Sequence, residues 1–365
     1  MRVLIVTAAT GQGHVSAARA LAETLSASGT EARVLDAGQQ PAIRNGAAAY
    51  NFFLRRPPGW MSIFYAGIEG LRVSDVGGFL LRPWAAEVFR RERPEVVVSV
   101  HPIFNQGIAG MLARHGSAVP FAVVLTDLFP PFWRGWAERR AALTVVPTAA
   151  AAREVSRRGV PAERIAILGM PVSARFRRPA PESERLESKR QLGLEPDRFT
   201  LLVNAGSAGR MTSVLALEAL VRATDLHERV QVLFLAGSST ELARRASAVS
   251  GPFPIRVLGW REDVDRILDA ADAVFTKPGA LTIAEALGKG VPLLLDTIDG
   301  VFPHERGGAE WAAGEDVAWL VRRPEDVPAI LRETAPGEWS KRRERCARAV
   351  PGDAEGIARR ILDLA

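Results

Sequence analysis

The sequence predicts an α/β protein made of two Rossmann-like halves. Three observations lead there. Short apolar, β-branched runs alternate with helix-period segments along most of the chain. The pattern begins twice, with a strand at 2–8 and again at 199–205. Each beginning runs into a glycine loop that opens a helix, Thr10-Gly-Gln-Gly-His14 and Gly206-Ser-Ala-Gly-Arg-Met-Thr212. Two such halves facing each other form a cleft, the usual place for a nucleotide and a second substrate.

Composition agrees. A chain of 365 residues suggests about two domains. It is 47% hydrophobic and 24% charged, as expected of a folded globular protein. The 47 Lys+Arg against 41 Asp+Glu give a net charge of +6, which favours anionic partners such as phosphates or acidic lipid surfaces. Nothing suggests nucleic acid. The single cysteine, Cys346, excludes an internal disulfide and a cysteine metal cluster. The N-terminus, Met1-Arg-Val-Leu-Ile-Val6, runs straight into the strand and loop and makes a poor signal peptide. No stretch approaches the roughly 20 apolar residues of a membrane span. A cytoplasmic protein is expected, with any membrane contact peripheral, at the inner face of the cell membrane.

The first half opens β-α-β: a strand at 2–8, the loop, a helix at 15–25, and a strand at 31–36. A dinucleotide site is one reading, with Gly11 and Gly13 in the fingerprint and Asp36 on a ribose hydroxyl. Ser16 replaces the third glycine, and His14 would crowd a pyrophosphate. The better reading is a turn at Gly11 and Gly13 that lets substrate approach and aims His14 into the cleft. The strand Glu95-Val-Val-Val-Ser-Val-His101 ends at His101, and the strand at 120–127 ends in Thr126-Asp127. Both ends lie at the carboxyl edge of the sheet, where α/β ligands sit. His14 and Asp127 together suit a base and its orienting carboxylate. The loop Phe129-Pro-Pro-Phe-Trp-Arg-Gly-Trp136 offers Trp133 and Trp136 as an acceptor lip.

Residues 41–93 differ in character. Aromatic and cationic side chains mix there, including Arg55, Arg56, Trp60, Phe64, Tyr65, Arg82 and Trp84. A helical insertion lying on a bilayer would use them so, aromatics in the interface and arginines at lipid phosphates. The alternative is a helix pair packed on the sheet with solvated arginines.

In the second half, the strand at 273–275 meets Lys277, Pro278 and Gly279, and a helix follows. Thr282 and Glu285 stand three apart, the spacing of a capping box. A strand, a glycine turn and a helix N-terminus also make an anion site. Asp263 and Asp265 spell a metal-binding carboxylate pair but fall at a helix start, and read as helix N-terminal charge. The expected division is 1–174, a charged, proline-bearing linker at 175–198, a second domain at 199–340, and a C-terminal helix at 341–365 that returns to the first domain.

Taken in order, these motifs resemble the inverting two-domain GT-B glycosyltransferases that include monogalactosyl- and processive diacylglycerol glycosyltransferases. The lipid II-forming N-acetylglucosaminyltransferase is a more distant relative. The resemblance rests on Gly11-Gln-Gly-His14, His101-Pro102, Thr126-Asp127, Gly169-Met-Pro-Val172, Gly206-Ser-Ala-Gly209, Lys277-Pro-Gly-Ala-Leu-Thr-Ile-Ala-Glu285 and the Glu305 region. It implies a UDP-sugar donor in the second half and a lipid acceptor, most simply diacylglycerol, in a membrane-facing first half. By the same resemblance Gly206, Ser207 and Gly209 hold the diphosphate, with Arg210 adding charge. The helix start at Gly279, Ala280, Leu281 and Thr282 presents amides, and Glu285 binds the ribose diol. His14 or Asp127 serves as base, and Gly11, Gly13, His101, Trp133 and Trp136 meet the acceptor. His304 and Glu305 face the donor sugar, His304 standing where relatives carry glutamine and Gly307-Gly308 where they carry an asparagine region. The histidine that many lipid-transferring relatives show after Thr126-Asp127 is absent.

The reaction so implied is one inverting displacement, with no cofactor and with amides and cations rather than a metal holding the leaving UDP. The competing readings are a soluble transferase with a small-molecule acceptor, a UDP-sugar epimerase, and a nucleotide-sugar-binding protein without chemistry.

Overall fold

A computed structural model of the chain describes residues 1–8, 12–40, 67, 73–206, 209–349 and 352–365, without the side chains of 39 and 73–80. Gly11, Ser207, Arg55, Arg56, Trp60, Phe64 and Tyr65 lie outside the described residues. The chain forms two compact units. The first holds Met1–Ala174, Phe302–Gly308 and Pro351–Ala365; the second holds Arg175–Val301 and Ala309–Val350.

The first unit runs β1 (Arg2–Thr7), α1 (Gln12–Ala27), β2 (Glu31–Asp36), α2 (Val73–Glu92), β3 (Val96–Ser99), α3 (Asn105–Arg114), β4 (Phe121–Val124), β5 (Leu143–Val146), α4 (Ala149–Arg157) and β6 (Ile165–Ile167). Its six strands are ordered β2-β1-β3-β4-β5-β6, and every neighbouring pair is parallel. Both faces of a parallel sheet are covered, so the inner strands β3, β4 and β5 are buried and almost wholly apolar, while the edge strand β2 carries Glu31, Arg33 and Asp36. Successive residues serve opposite faces. Leu4, Val97 and Val123 join the core on one side, and Ile5, Val98 and Val124 join that on the other.

The second unit runs α5 (Glu182–Gln191), β7 (Phe199–Asn204), α6 (Met211–Arg222), β8 (Val230–Leu235), α7 (Thr240–Ala248), β9 (Ile255–Leu258), α8 (Val264–Ala270), β10 (Ala273–Thr276), α9 (Ala280–Gly288), β11 (Leu293–Asp296), α10 (Pro303–Gly314), β12 (Ala318–Val321), α11 (Asp326–Glu333) and α12 (Pro336–Ala349). The strand order is β12-β11-β10-β7-β8-β9, again with every neighbouring pair parallel. The first turn of α10 is counted with the first unit. The last helix, α13 (Ala354–Leu362), also belongs there, and its Ile357, Ala358 and Ile361 join the core of Val3, Ile5, Val96 and Val98.

Several sequence expectations need correction. The stretch expected as a linker, 175–198, contains α5 and is part of the second unit. There Lys189 is buried, donating to Asp272 Oδ2 at 2.9 Å, which ties α5 to the start of β10. The capping box is not formed. Helix α9 starts at Ala280 with Gly279 as N-cap and no side-chain cap bond, so Thr282 lies inside the first turn and the Glu285 carboxylate does not serve the cap. Likewise α1 starts at Gln12, so Gly13 and His14 lie in a first helical turn rather than a glycine loop.

Arg82 and Trp84 were expected at a bilayer, but both are half-buried and turned inward. Trp84 packs on Phe104 with ring centroids 6.0 Å apart, and a Cβ added to Gly110 of α3 would stand 2.8 Å from Arg82 Nε. Among the described residues, no helix is long and apolar enough to cross a membrane.

Candidate active site

In an open parallel sheet, the ligand crevice opens where the strand order reverses, outside the carboxyl ends of the strands. In the first unit that point lies between β1 and β3. His14 follows β1, His101 follows β3, and Thr126 and Asp127 follow the adjacent β4.

The three stretches meet through side chains. His14 Nδ1 lies 2.9 Å from the carbonyl oxygen of Val100 and 2.9 Å from Thr126 Oγ1. A carbonyl oxygen only accepts, so Nδ1 carries the ring's hydrogen and Nε2 keeps its lone pair. His101 takes the opposite tautomer, since its Nδ1 accepts from the amide of Ile103 at 3.3 Å. The two rings are tilted against each other with centroids 4.4 Å apart.

Asp127 was expected to orient His14, but its Oδ2 accepts instead from the indole N–H of Trp136 at 2.7 Å. Trp136 is 0% exposed, a core residue rather than an acceptor lip; its ring centroid stands 6.1 Å from that of His14. Trp133 is half-buried against the same core. Asp36 caps its own turn, accepting from the amide of Gly38 at 2.8 Å.

Electrostatics keep His14 neutral. Burial lowers its pKa below the ordinary 6.5, opposed by the nearby Asp127 carboxylate and the Val100 carbonyl, and His304 lowers it further. Burial also pushes His101 well below that value, with His14 adding to the effect. His304 and Glu305 sit on the first turn of α10, in the segment that packs with the first unit. The ring of His304 is parallel to that of Phe302 at 6.1 Å, and Glu305 is buried. At Gly307, a Cβ would come within 2.4 Å of the Pro130 carbonyl oxygen, so the packing there admits no side chain.

In the second unit the strand order reverses between β7 and β10. The loop after β7 carries Gly206, Gly209 and Arg210, and α9 follows β10. Gly206 and Gly209 have φ of 73° and 72°, a left-handed conformation that side chains resist. Asn204 Oδ1 fixes the turn by accepting from the Gly206 amide at 3.0 Å. Across the switch point, the first amides of α9, at Ala280, Leu281 and Thr282, lack intrahelical acceptors by helix geometry and present positive dipole ends. Glu285 stands one turn further on, half-buried. Burial pushes its pKa up to about 8, opposed by Arg175, while Asp265 raises it further.

Of the expected carboxylate pair, both oxygens of Asp263 accept from Arg261, at Nε and Nη2, and Asp265 lies 3.7 Å from Arg175. Among the described residues, no group of three or more His, Cys, Asp or Glu is arranged to hold a metal ion.

Sequence reasoning missed the acceptor that orients His14, because it is a backbone carbonyl and no residue type announces it. It also missed Asp296 and Thr212. Thr212 Oγ1 donates to Asp296 Oδ2 at 2.5 Å, and Arg210 Nε lies 3.4 Å from the same oxygen. An acid closing a wholly apolar strand, as in Leu293-Leu-Leu-Asp296, is the signal that would have found it.

Comparison with known proteins fits this geometry. Residues 14–172 match the family model of monogalactosyldiacylglycerol (MGDG) synthase. A probable chloroplastic monogalactosyldiacylglycerol synthase of Glycine max is 26% identical over 356 residues, covering 91% of this chain and 64% of its own length. The chain therefore spans somewhat under two thirds of that plant relative. A processive diacylglycerol β-glucosyltransferase of Bacillus licheniformis is 25% identical over 336 residues, covering 89% of this chain and 84% of its own length. Among solved structures, MurG of Acinetobacter baumannii superposes with a TM-score of 0.66 at 15% identity, covering 99% of both chains. The whole chain has the GT-B fold, and its residues 14–172 match the monogalactosyldiacylglycerol synthase family model.

Proposed function

We propose that this protein is an inverting glycosyltransferase that moves a hexose from a UDP-sugar to a lipid hydroxyl, most simply that of diacylglycerol. The observation that carries the reading is the state of His14. Its Nδ1–H is committed to Val100, its Nε2 keeps a lone pair, and its surroundings hold the ring neutral. That is the state a general base needs before it meets an alcohol. Asp127 does not touch His14. Its charge, fixed by the Trp136 indole, stabilises the imidazolium formed as the hydroxyl proton arrives.

The second unit takes the donor. The amides at the start of α9 and the loop of Gly206 to Arg210 meet the diphosphate, where negative charge gathers as the bond to the sugar breaks. Glu285 accepts from the ribose diol. Relatives named for diacylglycerol glycosylation support a lipid acceptor. The basic, aromatic stretch around Arg55, Arg56 and Trp60 supports docking on an anionic membrane, with the protein peripheral on the inner face of the cell membrane.

The test is a screen of purified protein with UDP-glucose, UDP-galactose and UDP-N-acetylglucosamine, against vesicles with and without diacylglycerol. UDP release that requires diacylglycerol, with a glycolipid of matching mass, is expected. Sugar interconversion without acceptor identifies an epimerase instead. Release that follows a soluble alcohol and ignores vesicles identifies a small-molecule transferase. Arg55→Ala with Arg56→Ala weakens binding to anionic vesicles; indifference to vesicle charge removes the membrane surface from the reading.

A further inference from the structure

Asp296 closes β11 with its side chain only 1% exposed. An acid withdrawn from water is retained only where its oxygens are satisfied. Here the partners come from two different connections of the second unit. Oδ1 accepts from the amide of Ile298 at 3.1 Å, turning the chain as it leaves β11. Oδ2 accepts from Thr212 Oγ1 in the first turn of α6 and faces Arg210 Nε at 3.4 Å. Thr212 is itself 1% exposed, so the anchor is internal. Arg210 is the N-cap residue of α6, with no side-chain cap bond, and directly follows the left-handed Gly209. A guanidinium is a flat fork of five N–H donors, so fixing its Nε edge fixes the direction of the rest.

We propose that Asp296 is a positioning residue that holds Arg210 toward the donor diphosphate, turning a long, rotatable cation into a preset phosphate contact. This rests on the UDP-sugar reading above. Asp296 touches no substrate; it acts through Arg210, and through Thr212 it locks the same loop to the neighbouring strand. The contact distinguishes phosphate from nucleoside. Its loss should therefore weaken ligands that carry phosphate and spare those that do not.

The experiment measures binding of uridine, UMP and UDP by calorimetry to the wild type, Asp296→Asn, Arg210→Ala and the double variant. Asparagine keeps the volume and an oxygen for Thr212 but removes the charge that holds Arg210. UDP affinity is expected to fall roughly tenfold in Asp296→Asn, with uridine affinity unchanged. The double variant should be no weaker than Arg210→Ala alone, since the acid acts only through the arginine. Unchanged uridine binding also verifies that the variants are folded. Where Asn at 296 prevents folding, Thr212→Val tests the same anchor and should weaken UDP but not uridine. If the wild type prefers UDP to uridine and Asp296→Asn keeps that preference, the positioning role is wrong and the donor reading stands. If the wild type shows no preference for UDP, both fall together.

Discussion

The carboxyl edge of the first unit and that of the second share a topology and differ in what fills them. Around His14 the polar groups already have partners: the Val100 carbonyl fixes the ring's tautomer, Thr126 and His101 lie against it, and the Trp136 indole holds Asp127. Around α9 the provisions are backbone amides, two glycines at positive φ and a carboxyl that holds its proton near neutrality. One side is set for a proton before any substrate arrives. On the proposed reading the other is completed by its ligand, with diphosphate and ribose meeting the amides and the carboxyl. Chemistry built from side chains is pre-arranged, whereas recognition built from backbone waits.

The hardest test of this contrast removes the base. His14→Ala should lower transfer roughly a thousandfold. UDP binding, measured by calorimetry, should stay as in the wild type; an equal collapse of UDP affinity would erase the distinction between the two edges. Next comes Glu285. Glu285→Ala should weaken UDP roughly ten- to a hundredfold while vesicle association is kept. The raised pKa adds a sign. A ribose diol donates to the ionised carboxylate, so binding favours the deprotonated form. Uridine affinity should rise with pH up to about 8 and level off above it. Glu285→Gln should bind weakly and without that slope, and a flat wild-type profile would remove the ribose assignment.

A smaller effect is expected from Thr126→Val, which takes away one neighbour of His14 Nδ1 and leaves Val100. The turnover rate should fall about threefold with little change in KM for the donor. The smallest is His304→Gln. The wild type should keep its activity below pH 6.5, because His14 must be unprotonated and its pKa is lowered. His304 contributes to that lowering, so its removal should move the acid limb of the pH profile slightly upward. An acid limb that moves the other way would mean that His304 does not act on His14 through charge.

The strands were legible because a parallel strand buried on both faces has to be apolar, and runs such as Val96-Val-Val98 and Leu293-Leu-Leu295 have few other places to go. The strand ends then placed His14, His101 and Asp127 at one edge. Helix starts were less legible. Neither Gly279 nor Arg210 makes a side-chain cap bond, so α9 and α6 begin without the hydroxyl or carboxyl that usually marks the place. Thr282 and Glu285 carry the spacing of a cap inside a helix that had already begun. Trp136 was misjudged because an indole is both a large apolar body and a donor. The loop composition suggested an exposed aromatic, whereas the ring fills the core and its N–H serves Asp127.

Helix α13 sets an order on the birth of this molecule. Its Ile357, Ala358 and Ile361 cover the face formed by Val3, Ile5, Val96 and Val98, yet they are translated only after the whole second unit. On the ribosome the first sheet therefore waits with one apolar face covered only in part, by Ala18, Leu21 and Leu25 of α1, while some two hundred further residues emerge, a long exposure for a surface that favours association. Vectorial synthesis cannot finish the first unit first. Supplying residues 352–365 as a separate peptide to a chain stopped before them should restore a protected β1, readable as slowed amide exchange at Leu4 and Ile5.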